Sequence, residues 1–274
     1  MTSGAHGHDG GASNASTFHT SGSAYDAFMG RYSGPLAVEF AAAAGVTGGM
    51  SALDLGCGPG ALTAVLVDRL GTGAGAVSAC DPSPEFVAEC ARRNPSVEVR
   101  QGRAEDIPFD NAAFDIVLAQ LVLHFVSDPS RAAAEIRRVL RPRGRVAACV
   151  WDSVDGMQMF RLFWDAAVAV DPEASEDVRA LRFGSEGEMV EVFESAGFQN
   201  VSETTLNVTS TYTDFDELWS GFLAGIGPAG AYCVSLPEHD RAEVRSIMFR
   251  NLGAPAKGFT LEAVARCAFG DAPQ

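Results

Sequence analysis

The stretch LDLGCGPG at residues 53–60 decides the fold of this chain. An apolar run that predicts a strand leads into a turn with three glycines, and the segment from Ala61 onward predicts a helix. A glycine-rich turn of this kind lets a ligand approach the backbone and meet the free N–H groups of a helix N-terminus. The sequence therefore predicts a loop that binds a nucleotide-type cofactor.

Strand-like and helix-like segments alternate around this loop. The helix predicted after Asp128-Pro129 is typical, since Ala133, Ile136 and Leu140 recur at helical spacing. Alternation of this kind predicts βαβ units joined by right-handed crossovers, and hence a parallel, doubly wound α/β layer. The apolar strand-like runs lie at residues 51–55, 76–81, 97–101, 114–120 and 145–151.

Three further regions flank this core. Residues 1–23 have little apolar surface to bury, which predicts a disordered tail. Residues 25–45 predict two short helices interrupted around Ser33-Gly34-Pro35. After Trp151 we predict helices at about 157–170, 185–196, 214–224 and 237–251, and two strands at about 200–208 and 258–268 that close the sheet as a hairpin pair.

The charge balance argues against one class of partner. The chain has 274 residues with 35 acidic and 20 basic side chains, a formal net charge of −15. Residues 1–150 carry 12 basic and 15 acidic side chains, so the other 8 and 20 give residues 151–274 a charge of −12. Because binding to a phosphate backbone depends on Lys and Arg, nucleic acid is not expected as a partner.

The cysteines and the apolar runs indicate the cellular compartment of the protein. The six cysteines, at positions 57, 80, 90, 149, 233 and 267, form no C-x-x-C pair and no zinc-like spacing. The longest nearly apolar stretch, 37–46, is well short of the ~20 residues that span a bilayer. We therefore expect reduced thiols, no metal site, no membrane segment and a cytoplasmic protein.

The glycine turn by itself fits two cofactor classes. Gly56-x-Gly58-x-x-Ala61 also satisfies the relaxed dinucleotide fingerprint G-x-G-x-x-G/A. Asp81 ends the second predicted strand, where a carboxylate can hold a ribose in either class. A nicotinamide enzyme with a Tyr-x-x-x-Lys pair is disfavoured, because the only lysine is Lys257.

Five motifs in order separate the two classes. They are LDLGCGPG at 53–60, ACDPS at 79–83, GRAEDIPF at 102–109, FDIVLAQLVLHF at 114–125 and EIRRVLRPRGRV at 135–146. Together they resemble the class I S-adenosylmethionine-dependent methyltransferases, particularly the branch with the ubiquinone and menaquinone biosynthesis enzymes. The resemblance covers about residues 25–151.

The resemblance implies a fold class and a domain organisation. The fold is α/β, with a Rossmann-like, doubly wound, mostly parallel seven-stranded sheet and helices on both faces. One domain would cover residues 24–274, with lid helices at 24–50, the cofactor-binding core at 51–151, and substrate-side insertions and sheet-closing strands at 152–274.

The resemblance also implies S-adenosyl-L-methionine as cofactor and S-adenosyl-L-homocysteine as product. The loop would offer carbonyls and a carboxylate to the methionine ammonium and N–H groups to its carboxylate, while Asp81 accepts both ribose hydroxyls. Residues of the next two loops would border the adenine, and Gln120 would line the methionine. The predicted cofactor-binding residues are Tyr25, Met29, Arg31, Tyr32, Asp54, Gly56, Cys57, Gly58, Gly60, Asp81, Pro82, Ser83, Arg103, Ala104, Glu105 and Gln120.

Two of these assignments keep alternatives. The family commonly has an acidic residue at position 103, whereas Arg103 has no acceptor for the adenine amine. Glu105 or Asp106 would have to substitute as the acceptor, or the adenine contacts would rest on the Ala104 N–H as a donor to the ring. The segment with Tyr25, Met29, Arg31 and Tyr32 looks like the family's lid, in which Arg31 neutralises the methionine carboxylate. A helix that only packs on the sheet would show the same aromatics.

Methyl transfer from a sulfonium requires alignment of donor and acceptor rather than covalent catalysis. If the acceptor is a hydroxyl or an activated carbon, a base helps, and His124 after the fourth predicted strand is the candidate. Its alternative role is a hydrogen bond to a neighbouring loop.

The partners expected are a small, apolar or aromatic acceptor and, as a candidate, a second copy of the chain. The methylated atom, O, C or N, stays open. The alternative functions are a nicotinamide-dependent oxidoreductase and a non-catalytic protein that binds S-adenosylmethionine.

Overall fold

The structure, a computed structural model, describes residues 26–73, 76–152, 156–174 and 183–274. The predicted tail at 1–23 and the predicted cofactor residue Tyr25 lie outside the described residues. None of the described helices is both long and apolar enough to cross a lipid bilayer.

Helices and strands alternate through the first half of the chain. A π-helical turn, Asp26–Gly30, runs directly into α1. The elements that follow are α1 (Arg31–Ala43), β1 (Ala52–Leu55), α2 (Ala61–Leu70), β2 (Val77–Asp81), α3 (Pro84–Arg93), β3 (Glu98–Gln101), β4 (Phe114–Gln120), α4 (Pro129–Val139) and β5 (Leu140–Trp151).

The second half is mainly helical until the last strand. Its elements are α5 (Gln158–Val170), α6 (Glu188–Ser195), β6 (Gln199–Tyr212), α7 (Phe215–Leu223), α8 (Gly227–Ser235), α9 (Glu238–Asn251) and β7 (Phe259–Asp271). Short 3-10 turns lie at Leu123–Phe125 and Pro172–Ala174.

One seven-stranded sheet, in the order β3-β2-β1-β4-β5-β7-β6, organises the described residues. The first five strands are parallel, and β7 pairs antiparallel with both β5 and β6. The predicted fold class is confirmed, including the hairpin pair that closes the sheet.

The central strands are buried on both faces. In β1, Leu53 and Leu55 pack in one apolar cluster and Ala52 packs in the other. The cluster with Ala52 also contains residues of α1, α2, α5 and the late helices, and the opposite cluster contains residues of α4 and α6. This two-sided burial explains why the strands are nearly continuous apolar runs in the sequence.

The strand order reverses at β1, which has β2 on one side and β4 on the other. In open α/β sheets, a crevice forms at such a switch point beyond the carboxyl ends of the strands, and ligands bind there. The loop at 56–60 follows β1 at this edge. A ligand site is therefore expected at the carboxyl ends of β1, β2 and β4.

The N-terminal helices differ from the prediction. No interruption occurs around Ser33-Gly34-Pro35, because Pro35 lies inside α1. The helical geometry changes earlier, between Gly30 and Arg31. Pro35 falls about one turn after this change and has no N–H to donate to the helix.

Two further differences lie after residue 200. The sequence pattern did not predict α8, because its Gly227-Pro228 start and many small residues give a weak helical pattern. The strand predicted at about 200–208 extends to Tyr212, because β6 pairs along its whole length with β7, from Gln199–Asp271 to Tyr212–Phe259.

Candidate functional site

A cavity of about 480 Å³ lies at the carboxyl ends of β1, β2 and β4, where the strand order reverses. Its walls come from the glycine loop, from the loops after β2 and β3, and from the residues that follow β4. The structure brings eleven predicted cofactor residues into this lining: Asp54, Gly56, Cys57, Gly58, Asp81, Pro82, Ser83, Arg103, Ala104, Glu105 and Gln120.

The glycine loop requires glycine at Gly56. Its φ is +74°, and a Cβ at this position would lie 2.4 Å from Cγ2 of Val122. Gly58, with φ +51°, faces open space instead. Because Gly58 has no side chain, a ligand can approach the loop backbone there. Because Gly56 has none, the loop can lie in close contact with the segment after β4.

Gly60 ends the glycine loop and does not line the cavity. It is the N-cap residue of α2, with φ +96°, and a Cβ there would lie 2.5 Å from Nδ2 of Asn94 and 3.0 Å from Sγ of Cys90. The first N–H groups of α2, starting at Ala61, have no acceptor within the helix and can bind a ligand carboxylate.

Asp54 is a buried carboxylate at the base of the loop, with 1% of its surface exposed. Its Oδ2 accepts a hydrogen bond of 2.5 Å from the Thr63 hydroxyl. Burial raises the pKa of Asp54 to about 7, the nearby Asp81 carboxylate adds to the rise, and the Thr63 hydrogen bond opposes it. A ligand ammonium placed beside this carboxylate would favour its charged form.

Asp81 ends β2 and holds two loops together. Its Oδ2 accepts the N–H of Gly58 at 2.9 Å, and its Oδ1 accepts the N–H of Ser83 at 2.9 Å. Burial raises the pKa of this carboxyl, although both hydrogen bonds favour its charged form. Each carboxylate oxygen accepts more than one hydrogen bond, so both can still bind the hydroxyls of a diol.

The loop after β3 carries the departure at Arg103. The Arg103 side chain is 62% exposed, and its Nε lies 3.7 Å from Oε2 of Glu105. Glu105 in turn accepts the N–H of Ser127 at 3.0 Å. Arg103 and Glu105 line the cavity and Asp106 does not, so of the two predicted substitute carboxylates Glu105 is the one placed to meet a ligand.

Gln120 supplies an acceptor that has no partner in the described part of the chain. Its Nε2 donates to the carbonyl of Ser33 at 2.9 Å, which orients the amide between β4 and α1. Its Oε1 is buried without a hydrogen-bond partner among the described residues. An unpaired buried acceptor is costly, and an N–H group of a ligand in the cavity would satisfy it.

Five predicted residues do not line the cavity: Met29, Arg31, Tyr32, Gly60 and His124. Met29, in the π-helical turn, and Tyr32, in α1, are buried in the apolar core. The Arg31 guanidinium forms an ion pair with Glu217 and lies 4.0 Å from the centre of the Tyr212 ring. The structure thus joins the N-terminal segment to β6 and α7, and its role as a lid stays a prediction.

His124, the predicted base, lies in the 3-10 turn after β4. Its ring contacts the ring of Phe125, with centres 4.0 Å apart. Burial lowers the pKa of His124 to about 4. The imidazole is therefore neutral at pH 7, but it is a weak base, and its role stays a prediction.

Sequence reasoning missed the segment after β4 that forms one cavity wall. Leu121 has φ +62°, a left-handed conformation that is unfavourable for leucine, and its N–H donates to the Cys149 carbonyl at 2.8 Å. Leu121, Val122, Phe125 and Val126 line the cavity. The position of this segment directly after β4 was the available signal, because loops at the carboxyl edge build such sites.

No group of three His, Cys, Asp or Glu side chains within the described ranges could hold a metal ion.

Comparison with known proteins connects this site to one family. The family model described as "Methyltransferase domain" matches residues 53–148. An uncharacterized methyltransferase of Mycobacterium tuberculosis is 44% identical over 103 residues, which are 38% of this chain and 40% of that protein. This chain therefore spans less than half the length of that relative.

Two further similarities extend over more of the chain. The nocamycin O-methyltransferase of Saccharothrix syringae is 28% identical over 242 residues, covering 81% of this chain and 84% of the relative. The crystal structure of a methyltransferase assigned to an antibiotic biosynthesis pathway of Anabaena variabilis has a TM-score of 0.61 with 17% identity, covering 86% of this chain and 96% of that one. This structural likeness shows the shared fold.

Proposed function

This chain carries a methyltransferase domain of the class I, S-adenosylmethionine-dependent family, and on that premise we propose that the protein methylates an oxygen atom of a small, largely apolar acceptor. One observation carries the proposal. The cavity at the strand switch point combines a glycine loop, two buried carboxylates and an unpaired amide oxygen, which match the charges and hydroxyls of S-adenosylmethionine.

The residues of the cavity divide the binding work by chemistry. Asp54 and Oε1 of Gln120 are acceptors for the methionine ammonium, and the first N–H groups of α2 are donors for its carboxylate. Asp81 binds the ribose hydroxyls, and Phe86, Ala104 and Glu105 border the base. When bound, S-adenosylmethionine supplies an electrophilic methyl group on a sulfonium.

The choice of oxygen as the acceptor atom is supported by the similarity to a nocamycin O-methyltransferase, which extends over 81% of this chain. An apolar acceptor is supported by the wall that follows β4, where Leu121, Val122, Phe125 and Val126 line the cavity. Apolar walls of this kind exclude water and suit a hydrophobic molecule.

Calorimetric titration of the protein with S-adenosylmethionine, S-adenosylhomocysteine and NADPH tests the proposal. We expect the two adenosyl compounds to bind and NADPH not to bind. Asp81→Ala should weaken S-adenosylhomocysteine binding by about 1–3 kcal/mol, the scale of a lost hydrogen bond to a charged group. Asp110→Ala removes an exposed carboxylate outside the cavity lining and is the matched control.

The outcomes separate the candidate functions. Binding of NADPH alone would favour the oxidoreductase, and unchanged affinity in Asp81→Ala would remove Asp81 from the site. Incubation with methyl-labelled S-adenosylmethionine and a panel of apolar hydroxy and carboxylic acids then tests turnover. Binding of both adenosyl compounds without label transfer to any of them would favour a non-catalytic binding protein.

A further inference from the structure

A second group of polar side chains lies at the same edge of the sheet, beyond β5 and β6. Arg31 begins α1, Trp151 ends β5 and Tyr212 ends β6. With Tyr32 and Glu217 they form what we call the acceptor-side cluster. Gln120 links this cluster to the cofactor cavity, because its amide bonds to Ser33, the residue after Tyr32.

Direct contacts connect the members of the cluster. The hydroxyls of Tyr32 and Tyr212 lie 3.1 Å apart, and the rings of Tyr32 and Trp151 meet edge-on with centres 6.3 Å apart. The Arg31 guanidinium lies over the Tyr212 ring and pairs with Glu217. The cluster is therefore one continuous set of contacts beside the cavity.

Two hydrogen-bond donors in the cluster lack acceptors in the described part of the chain. Arg31 Nε and Trp151 Nε1 are both buried, and neither has a hydrogen-bond partner among the described residues. Only 9% of the Trp151 surface is exposed. A buried donor without an acceptor is costly, so two such donors in one cluster point to a ligand that supplies the missing acceptor.

The other polar groups here do not change their protonation near neutral pH. Hydrogen bonds from Thr213 and the contact with Arg31 lower the pKa of Glu217 to about 2, so it stays a carboxylate that balances the charge of Arg31. Burial raises the pKa of Tyr32 and of Tyr212, which stay hydroxyls. With the pKa of His124 at about 4, these groups are poor bases for an ordinary hydroxyl.

We propose that the acceptor-side cluster binds the ionised oxygen of an acidic acceptor, a carboxylate or an enolate, through Arg31 Nε and Trp151 Nε1. This inference rests on the proposed function and names its substrate class. An oxygen that arrives ionised needs no base. As the oxygen–carbon bond forms, the sulfur–carbon bond breaks, the sulfonium loses its positive charge and the oxygen its negative charge, and no proton moves.

Binding to the protein saturated with S-adenosylhomocysteine tests this assignment without turnover. The acidic probes are 1-naphthoate, a carboxylate, and 4-hydroxycoumarin, an enol that ionises readily. The matched weak acid is 1-naphthol, and the matched neutral compound is methyl 1-naphthoate. We expect at least one acidic probe to bind about tenfold more tightly than 1-naphthol and the ester, the ratio expected for about 1.4 kcal/mol. The probe that binds then distinguishes carboxylate from enolate.

Two variants test the two donors. Trp151→Phe keeps a ring and removes only the indole N–H, and Arg31→Met removes the guanidinium. Each should weaken the acidic probe about tenfold and change the affinities for the ester and for S-adenosylhomocysteine less than twofold. Trp219→Phe makes the same change in a buried indole that packs against Phe222, and it should have less than a twofold effect on every probe.

The failures of the two proposals are distinguishable. If S-adenosylhomocysteine itself does not bind, the proposed function fails. If it binds but the acidic probes bind no more tightly than the matched compounds, or do not bind, the acidic-acceptor proposal alone is overturned. Equal effects of Trp151→Phe and Trp219→Phe would also overturn it, as would a loss in Arg31→Met confined to S-adenosylhomocysteine.

Discussion

The two sides of the site are built in different ways. On the cofactor side, hydrogen bonds join residues close in the chain, such as Asp54 with Thr63, 9 residues apart, and Gly58 with Asp81, 23 residues apart. On the acceptor side, Arg31 contacts Glu217 across 186 residues, and Tyr32 contacts Tyr212 across 180. The first side is therefore contained in neighbouring βα units, whereas the second requires that both ends of the chain be folded.

The two sides also differ in what they offer a ligand. The cofactor side offers backbone groups held by glycines and two buried carboxylates, Asp54 and Asp81. The acceptor side offers side-chain donors among aromatic rings, with Arg31 and Glu217 balancing each other in charge. Backbone groups suit a ligand that all members of a family share, such as a cofactor. Side chains can differ between members, so they suit acceptors that differ.

The largest effect is expected at the loop. In Gly56→Ala, the left-handed φ of +74° and a Cβ placed 2.4 Å from Val122 should together lower the free energy of unfolding by about 3 kcal/mol. Gly58→Ala shares the positive φ but faces open space, so it should cost only about 1 kcal/mol. Urea unfolding of both variants measures the difference, and equal losses would mean that the contact with Val122 is not restrictive.

The next effect is a pH dependence on the cofactor side. Because burial raises the pKa of Asp54 to about 7, the folded protein keeps a proton that the unfolded chain releases above about pH 4. The free energy of unfolding should therefore fall as the pH rises from about 5 to 8, with a contribution of roughly 2 kcal/mol from this group. Asp54→Asn lacks this contribution, so the difference between the two stability profiles should change by roughly 2 kcal/mol over this pH range. Parallel profiles would contradict the assignment.

A smaller effect should appear on the acceptor side. Tyr212→Phe removes the hydroxyl that meets Tyr32 and donates to Sδ of Met159, and it should cost about 1 kcal/mol of unfolding free energy. Removing both hydroxyls, in Tyr32→Phe with Tyr212→Phe, should cost less than the sum of the single changes, because no donor is left unpaired. Additive losses in urea unfolding would show that the contact across 180 residues contributes nothing.

The smallest effect is expected at His124. With a pKa of about 4 and a position outside the cavity lining, His124→Gln should change the turnover of an identified acceptor by less than about twofold. A loss of about a hundredfold, with the affinity for S-adenosylhomocysteine unchanged, would restore the general-base role. The affinity measurement is the control that separates catalysis from binding.

Local patterns were enough to predict much of the fold. The helix start predicted at Asp128-Pro129 is present, and the Asp128 side chain accepts a capping hydrogen bond from the Arg131 N–H, as Ser83 before Pro84 does from Phe86. Four of the five parallel strands, β1, β2, β4 and β5, were predicted because their burial on both faces makes them nearly continuous apolar runs. The α8 helix was not predicted, because its small residues give no clear helical period of apolar side chains.

The candidate site was predicted only in part, for a similar reason. Eleven of the predicted cofactor residues line the cavity because they belong to motifs at strand ends. Leu121 and Val122 were missed, because neither an unusual φ at a leucine nor the contact with Gly56 has a signature in the sequence. The N-terminal aromatics kept two interpretations, since their spacing suits a lid and a packed helix equally.

The sequence by itself determined the resemblance to the methyltransferases, the alternation of strands and helices in the parallel core, and the glycine loop with its two carboxylates, because each depends on local patterns within one or two βα units. Only the tertiary structure decided where Arg31 and Tyr32 lie, that the Trp151 indole N–H has no acceptor among the described residues, and that Gln120 joins the two sides. Those facts depend on how α1 packs against β4, β6 and α7, and no local pattern specifies which distant side chain fills the space beside a given residue.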